Sequence, residues 1–585
     1  MTELRVNELS DQGERPPAQP AGGSPGRPPG SGLSRVRGAL RAAAATVRPR
    51  ALWQHHRLFT ILVLLAIVPR VIASLAFRPA LTTRDSFDYL QEGVHLTTGQ
   101  LRPAGYPMLL RLLEPFHSLL LVTSLQHLLG IGIAIILYAV LRHWGLPGWG
   151  ASLAAVPTLF DYREIVIESY ILADLLYAFI IISAVALLLT RRTPRLWQCV
   201  LAGLLLSYSA VVRGNGLPLI VPVLAFMLIR RVGWRAFTAG AAAFVLPVLA
   251  YASLFDATWG KFNLTNSDGL FLWSRVTSFA NCAVIKPPPD LVPLCPSQAH
   301  LRGSGRTPSD YLWASNAWFR HDAHPGINAA NNALAMRFAL DAIKAQPLSY
   351  AKVVSQDVLE LFLETDRPLS IHTIAFTLKP DVPVLPASWA LWLRQYGHAG
   401  DTHAVQPYAH LMLIYEKPVY FPGLVFIGVL VIGFVGVVRN WRRWGGPGAL
   451  PWAAAAIGIV LPPALVWFTY RYVLEAVPLA CMAAGLAFVR PPASSPEPAV
   501  AAGPATVSLP AAEPAAQASA QHQEGPATDA GPAAANGVPA AESDDAEAVG
   551  PSARQDSARQ DPGQLDPGQP DSAQQVPSDP GGSAP

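Results

Sequence analysis

The chain has 585 residues, of which 51% are hydrophobic and only 14% charged, and its mean hydropathy is +0.29. A soluble chain of this length needs more charge to stay dispersed, so these values point to a polytopic membrane protein. The net charge of +4 averages a basic N-terminal segment and an acidic C-terminal tail. The basic residues stand in short clusters beside apolar runs, which excludes a nucleic-acid footprint.

Residues 1–50 read as a disordered, basic cytoplasmic segment. Met1 to about Gly32 is polar and rich in Pro and Gly, and no apolar stretch follows closely enough to make a signal peptide. Arginines 35, 37, 41, 48, 50 and 57 then precede an apolar run at about 58–77 that is long enough to span a bilayer. A basic flank stays inside, so this span exits outward. The polar stretch Thr82–Pro107 follows, with Arg84, Asp85, Asp88, Glu92 and His95. It lies between two apolar runs, where charges are costly unless they serve an aqueous cavity or the interface.

Further apolar runs fall at about 118–141, 149–160, 172–190, 196–212, 217–229 and 235–254, and again at 419–438, 449–468 and 473–489. The fold class expected is therefore an all-α polytopic membrane protein with about ten transmembrane helices. Arg142, Arg191-Arg192, Arg230-Arg231 and Arg439 to Arg443 close the inward runs, which is the charge bias of cytoplasmic ends. Arg70, Arg163, Arg213 and Arg471 are exceptions, near the outer face.

Five regions follow: the basic segment 1–50, a membrane module 51–254 with the outer loop 78–117, an extracytoplasmic region 255–416, C-terminal membrane helices 417–490, and a tail 491–585. The 255–416 region is polar, rich in Pro, Asn and Trp, and expected to be helical or irregular. Cys282 and Cys295 both lie in it, and outside the cell a disulfide between them persists. Such a bridge contributes roughly 3 kcal/mol; the alternative is two free thiols. Cys199 and Cys481 lie inside spans as packing residues. Asn328–Ala345 and Leu348–Phe362 read as helices split at Pro347, the second with an apolar stripe suited to lying on the membrane. The tail is rich in Ala, Pro, Gly, Gln and Asp and repeats SARQD and DPGQ. It cannot bury enough apolar surface to fold and reads as disordered and cytoplasmic.

Asp85 and Asp88 share a helix face if this stretch is helical, and paired carboxylates raise each other's pKa, which suits proton abstraction. Two solvated loop acids are the bland alternative. Glu164, Glu168 and Asp174 form a second acidic group on the same side; Asp174 equally suits the N-terminal dipole of a helix. Arg213, Arg275 and Arg471 are candidate phosphate ligands, since guanidinium binds phosphate bidentately. Snorkelling to lipid headgroups is the other reading. No GxGxxG after a strand, GxxxxGK[ST], HExxH or GxSxG signature is present, and the 14 histidines show no metal-ligand spacing.

Four features together resemble the GT-C superfamily of polytopic glycosyltransferases, nearest the protein-mannosyltransferase and aminoarabinose-transferase branch. Asp85-Ser-Phe-Asp-Tyr89-Leu90, followed by Arg102-Pro-Ala-Gly105-Tyr106-Pro107, is similar to the family's acidic first-loop motif and its Pro-Gly-Tyr-Pro turn. Glu168 to Asp174 is similar to its second acidic site. Val212-Arg213-Gly-Asn-Gly216 and Tyr470-Arg471-Tyr472 with Pro478 resemble its later arginine segments. The match covers roughly residues 55–490. It departs at Ser86, where members carry a second acid adjacent to the first, and at the single Pro478, where several relatives have two prolines.

The resemblance implies a donor sugar on a polyprenyl phosphate, its phosphate at the outer interface; the charge bias sets both chain termini inside, and the composition suggests a plasma membrane. Asp85 would take a proton from an acceptor hydroxyl in one inverting displacement, with Asp88 beside it. Glu168 and Asp174 would form the second acidic site, and Arg213 or Arg471 would stabilise the leaving phosphate. Arg84, Tyr89, Arg102, Tyr106 and Tyr472 would line the substrate cavity, with Tyr89 and Tyr106 as packing or interface residues. The acceptor is open among glycan, lipid and protein, and a divalent metal stays open. The rivals are a lipid or solute transporter and an envelope-assembly scaffold.

Overall fold

The computed structural model describes residues 49–296, 308–313, 317–321, 325–363, 387–398, 402–441, 446–466, 470–472 and 474–489. Expectations for 1–48 and for the tail 491–585 lie outside the described residues. Contacts divide the chain into Met1–Ala499 and Val500–Pro585, and every described residue belongs to the first unit.

Helices dominate, since a backbone in lipid must satisfy its own hydrogen bonds. The first module runs α1 (Pro49–Ala76), α2 (Arg84–His95), α3 (Gly105–Leu113), α4 (Leu119–His143), α5 (Gly148–Phe160), α6 (Tyr162–Ser169), α7 (Asp174–Leu189), α8 (Leu196–Val212), α9 (Ile220–Ile229) and α10 (Trp234–Trp259). Then follow α11 (Asp268–Val276), α12 (Ala329–Ala345), α13 (Pro347–Leu363), α14 (Gly423–Arg439), α15 (Ala449–Leu465) and α16 (Ala476–Ala487), with shorter helices between.

Among the described residues three helices are long and apolar enough to cross a membrane: Trp53–Ala76 within α1, α4 and α10, at 24, 25 and 26 residues. The shorter apolar helices include α7, α8, α14, α15 and α16, and a run Gly214–Ile229 that ends in α9. With α5, each of the ten apolar runs read from the sequence holds a helix, although only three reach full spanning length. The run at 217–229 is shortened because a 3₁₀ turn at Gly214–Leu219, containing Pro218, precedes α9. Proline cannot donate the backbone bond a regular helix needs.

The 255–416 region carries its own small core. Trp273 and Val276 of α11 pack with Phe338 and Ala339 of α12, together with Leu291 and Leu294. The Gly269 amide donates to Asn332 Oδ1 at 2.6 Å, joining the two helices. Cys282 and Cys295 form a disulfide, as their placement led one to expect. The break between the next two helices falls at Pro347, again as expected. The apolar stripe of α13 packs on neighbouring helices. Phe362 lies 5.8 Å from Phe426 of α14, and Tyr350 Oη donates to the Ala464 carbonyl of α15 at 2.9 Å.

Three contacts bring distant segments to one end of the helices. β1 (Phe77–Arg78) pairs antiparallel with β2 (His403–Ala404). Leu81 bridges to Tyr170 in parallel, with the Ile171 amide donating to the Leu81 carbonyl at 3.0 Å. Gly105, at the start of α3, abuts the end of α8: a Cβ there would stand 2.6 Å from Val211 O and 2.7 Å from Val212 N. Those are backbone atoms that cannot swing aside. Gly105→Ala is therefore expected to lower stability by about 1–3 kcal/mol, read as a drop in thermal midpoint of the detergent-solubilised chain. A variant that melts with wild type contradicts the contact.

Candidate active site

Thr83 caps α2 and Ser86 completes the cap, its hydroxyl accepting from the Thr83 amide at 2.9 Å. Ser86 also donates to the Ile171 carbonyl at 2.9 Å. The position where the resembled family has a second acid is here a clamp between the two loops. The second carboxylate of this face comes one turn later, at Asp88.

Arg102 reaches this face from the turn before α3. The preceding chain is stapled in place: Asn266 N donates to the Gln100 carbonyl at 2.8 Å, and Ser267 Oγ to the Leu101 carbonyl at 2.8 Å. On the far side, Tyr208 Oη donates to Gly105 O and the Ala104 amide to Tyr251 Oη, at 2.9 and 3.0 Å. Arg213 stands just past α8, and Arg471 in the short turn Tyr470–Tyr472 between α15 and α16.

The result is a chain of alternating charge. Arg102 holds Asp88 Oδ2 at 3.0 Å and Asp85 Oδ1 at 2.6 Å. Arg471 takes the other Asp85 oxygen at 2.6 Å and approaches Asp174 at 3.7 Å. Arg213 binds Asp174 at 2.6 Å and lies 3.9 Å from Glu475. Arg213 is sandwiched by aromatic rings, 5.6 Å from the Tyr177 centroid and 4.8 Å from that of Tyr472. Arg471 lies 5.1 Å from Tyr472.

Of the residues singled out from the sequence, Asp85, Asp88, Asp174, Arg102, Arg213, Arg471 and Tyr472 come together here. Tyr89 and Tyr106 pack edge to face at 5.0 Å beneath them, and Arg102 lies over Tyr89 at 5.6 Å. Tyr106 is fully buried and donates to Gln126 at 2.8 Å. Arg84 stands 4.5 Å over Trp313.

Glu168 lies elsewhere. Its carboxylate accepts from Arg70 Nη2 at 2.8 Å and contacts His127 Nδ1 at 2.8 Å, fully enclosed between α1 and α4. This knot also engages Arg70, one of the outlying arginines. Arg163 pairs with Asp161 at 2.9 Å and Arg275 with Asp357 at 3.0 Å.

One acid escaped the sequence reading: Glu475 stands four positions after Arg471 at the head of an apolar run, which is the signal that was there to see. Glu92, named from the sequence only as one charge of the Thr82–Pro107 stretch, follows Asp88 on the same face and is 8% exposed.

The carboxylates differ in basicity. Burial alone would raise Asp85, but Arg102 and Arg471 outweigh it and hold the group down to about 2. Burial raises Asp88, and the nearby charges of Arg102 and Arg84 offset that only in part. Burial, reinforced by Asp88, pushes Glu92 up to about 8. Folded Glu92 thus keeps a proton that the unfolded chain, near 4.5, gives up. Stability falls as pH rises from about 4.5 through about 8. Glu92→Gln is expected to flatten that slope, so that the variant melts above wild type at pH 9; thermal melts at pH 6 to 9 check this.

Among the described residues no group of three or more His, Cys, Asp or Glu is arranged to hold a metal ion. The carboxylates here face guanidinium groups, which a cation would have to displace, so no step is built on a metal.

No protein-family model and no curated protein matches the chain. Among solved structures it is similar to the crystal structure of ArnT from Cupriavidus metallidurans bound to undecaprenyl phosphate, at 14% identity, over 73% of this chain and 76% of that one, with a TM-score of 0.30. Likeness at that level leaves the site to be read from its own geometry.

Proposed function

We propose that the chain is a membrane glycosyltransferase that moves a sugar from a polyprenyl-phosphate carrier to an acceptor hydroxyl at the extracytoplasmic face, with inversion. One observation carries the reading: three guanidiniums from three separate segments alternate with carboxylates at the heads of apolar helices. Burying ion pairs is a poor route to stability, because desolvation offsets the attraction. It is a good way to keep arginines ready for an anion at the lipid interface.

Asp174 and one oxygen of Asp85 occupy the positions a phosphate would take on Arg213 and Arg471. A donor phosphate entering there competes for both arginines. Asp85 then loses Arg471, keeps Arg102, and becomes more basic. The acceptor oxygen attacks the anomeric carbon as the bond from that carbon to the phosphate oxygen breaks. The hydroxyl proton passes to Asp85. The polyprenyl phosphate leaves with one more negative charge, which Arg471 and Arg213 stabilise more strongly than the bound donor. Asp88, the more basic carboxylate at rest, stands one turn away on the acceptor side.

The test is transfer in proteoliposomes from a panel of polyprenyl-phosphate sugars. Turnover with one of them is the expected result. Well-folded protein that turns over none overturns the proposal and favours a transporter or scaffold.

A further inference from the structure

Beside the ion chain lies a cavity of about 550 Å³, within the roughly 300–1,000 Å³ of small-molecule sites. Its walls come from α2, from the turn 97–101, and from parts of the 255–416 region. Asp88 belongs both to this cavity and, through Arg102, to the chain that holds Asp85. Trp259, Trp313 and Phe319 give it aromatic faces, and Glu92 and Gln100 add polar groups.

Glu92 is the telling group. It is more than nine-tenths buried and lines the cavity, and its Oε2 has no hydrogen-bond partner among the described residues. Its other oxygen is tucked against Gly99, where a Cβ would stand 1.7 Å away. A side chain at 99 would push this carboxyl out of its present place. A buried oxygen without a partner is costly unless something supplies one. Burial also raises Glu92 to about 8, so near neutrality it offers both a donor and an acceptor.

We infer that this cavity is the acceptor subsite and that its occupant is a saccharide, whose hydroxyls meet Glu92 and Asp88 while a ring face lies on Trp313 or Trp259. The inference deepens the proposed transferase reading and rests on it for the word acceptor. Two alternatives fit less well. An extended peptide is recognised through free backbone groups, yet the turn's carbonyls at Thr98, Gln100 and Leu101 are taken by Trp259, Asn266 and Ser267. A lipid tail calls for an apolar groove, and here two carboxyls and Arg320 face the space. A sugar joins hydroxyls that suit carboxylates to C–H faces that suit indoles.

Saturation-transfer NMR on the full chain in nanodiscs would use methyl glycosides of mannose, galactose, arabinose and glucuronic acid as probes. Undecaprenyl phosphate binding would be measured on the same samples. Wild type is expected to bind at least one glycoside. Trp313→Ala and Glu92→Leu are expected to weaken that binding at least tenfold, with Trp313→Phe and Glu92→Gln intermediate and undecaprenyl phosphate binding unchanged in all. No glycoside binding in wild type, or equal binding in both variants, overturns the subsite. If undecaprenyl phosphate still binds in that case, the transferase reading stands with its acceptor elsewhere. Glycoside binding with no affinity for undecaprenyl phosphate supports the saccharide site and removes the transferase reading instead.

Discussion

Asp85→Asn is expected to lower sugar transfer by roughly 10²- to 10⁴-fold and to leave polyprenyl-phosphate binding intact. The two halves follow from one count. The ion chain sets three closely paired carboxylates, Asp85, Asp88 and Asp174, against three guanidiniums, Arg102, Arg213 and Arg471. Removing the charge of Asp85 leaves the guanidiniums in excess and frees one face of Arg471 for phosphate. If Asp85 served only to hold the arginines, the variant would bind the lipid as well or better and still turn over. If it is the base, binding survives and turnover does not. The amide keeps an oxygen for one guanidinium, so the fold is expected to persist, with gel-filtration profile and melting point as controls. Asp88→Asn is the comparison, since it removes the other carboxylate on Arg102. Wild-type turnover in Asp85→Asn with strong loss in Asp88→Asn would move the proton acceptor one turn along α2.

The helices were legible because the signals for them are local. Apolar runs bounded by Arg142, by Arg191-Arg192 or by Arg230-Arg231 state their own ends. Pro347 splits two helices wherever the rest of the chain lies. The disulfide could be read from position, because two cysteines outside the membrane and close in sequence have few other fates. The candidate site was half legible. Asp85, Asp88 and the two late arginines stand out as charges beside apolar runs. Arg102 did not stand out as the link between both acids, since it is separated from Asp85 by an irregular turn with no periodicity.

Glu168 and Asp174 show the converse. Six positions apart, they read as one acidic group. But α6 ends at Ser169, and the chain bridges to Leu81 before α7 begins at Asp174. One acid turns inward to Arg70 and His127, and the other opens a helix facing Arg213. Closeness in sequence says little about shared chemistry when a helix ends between two residues. The role of Glu92, a residue named from the sequence only as a charge, was hidden for a different reason. Its character depends on Gly99 folding over it and on the cavity wall from the 255–416 region, and neither contact leaves a mark near residue 92.

Arg471→Ala is expected to cut turnover by roughly 10²- to 10³-fold, the range for removing one group that stabilises developing charge, with most of the loss in kcat. Arg471→Lys should recover only part, because an ammonium lacks the planar fork that binds two oxygens. The pH profile separates this role from a structural one. With Arg102 and Arg471 both in place, the Asp85 carboxyl sits at about 2. The acid limb of kcat/KM, which reports the free enzyme, therefore lies low. Once the donor phosphate has taken Arg471, Asp85 titrates higher, so the acid limb of kcat lies above that of kcat/KM. Arg471→Ala removes the partner from both states. Its kcat/KM limb should rise toward an ordinary carboxyl, near 3.9, and the gap between the limbs should narrow. Were Arg471 only a brace, its loss would scale activity down and leave both limbs in place. A gap that persists in the variant therefore overturns the exchange of Arg471 from carboxylate to phosphate, whatever happens to the rate.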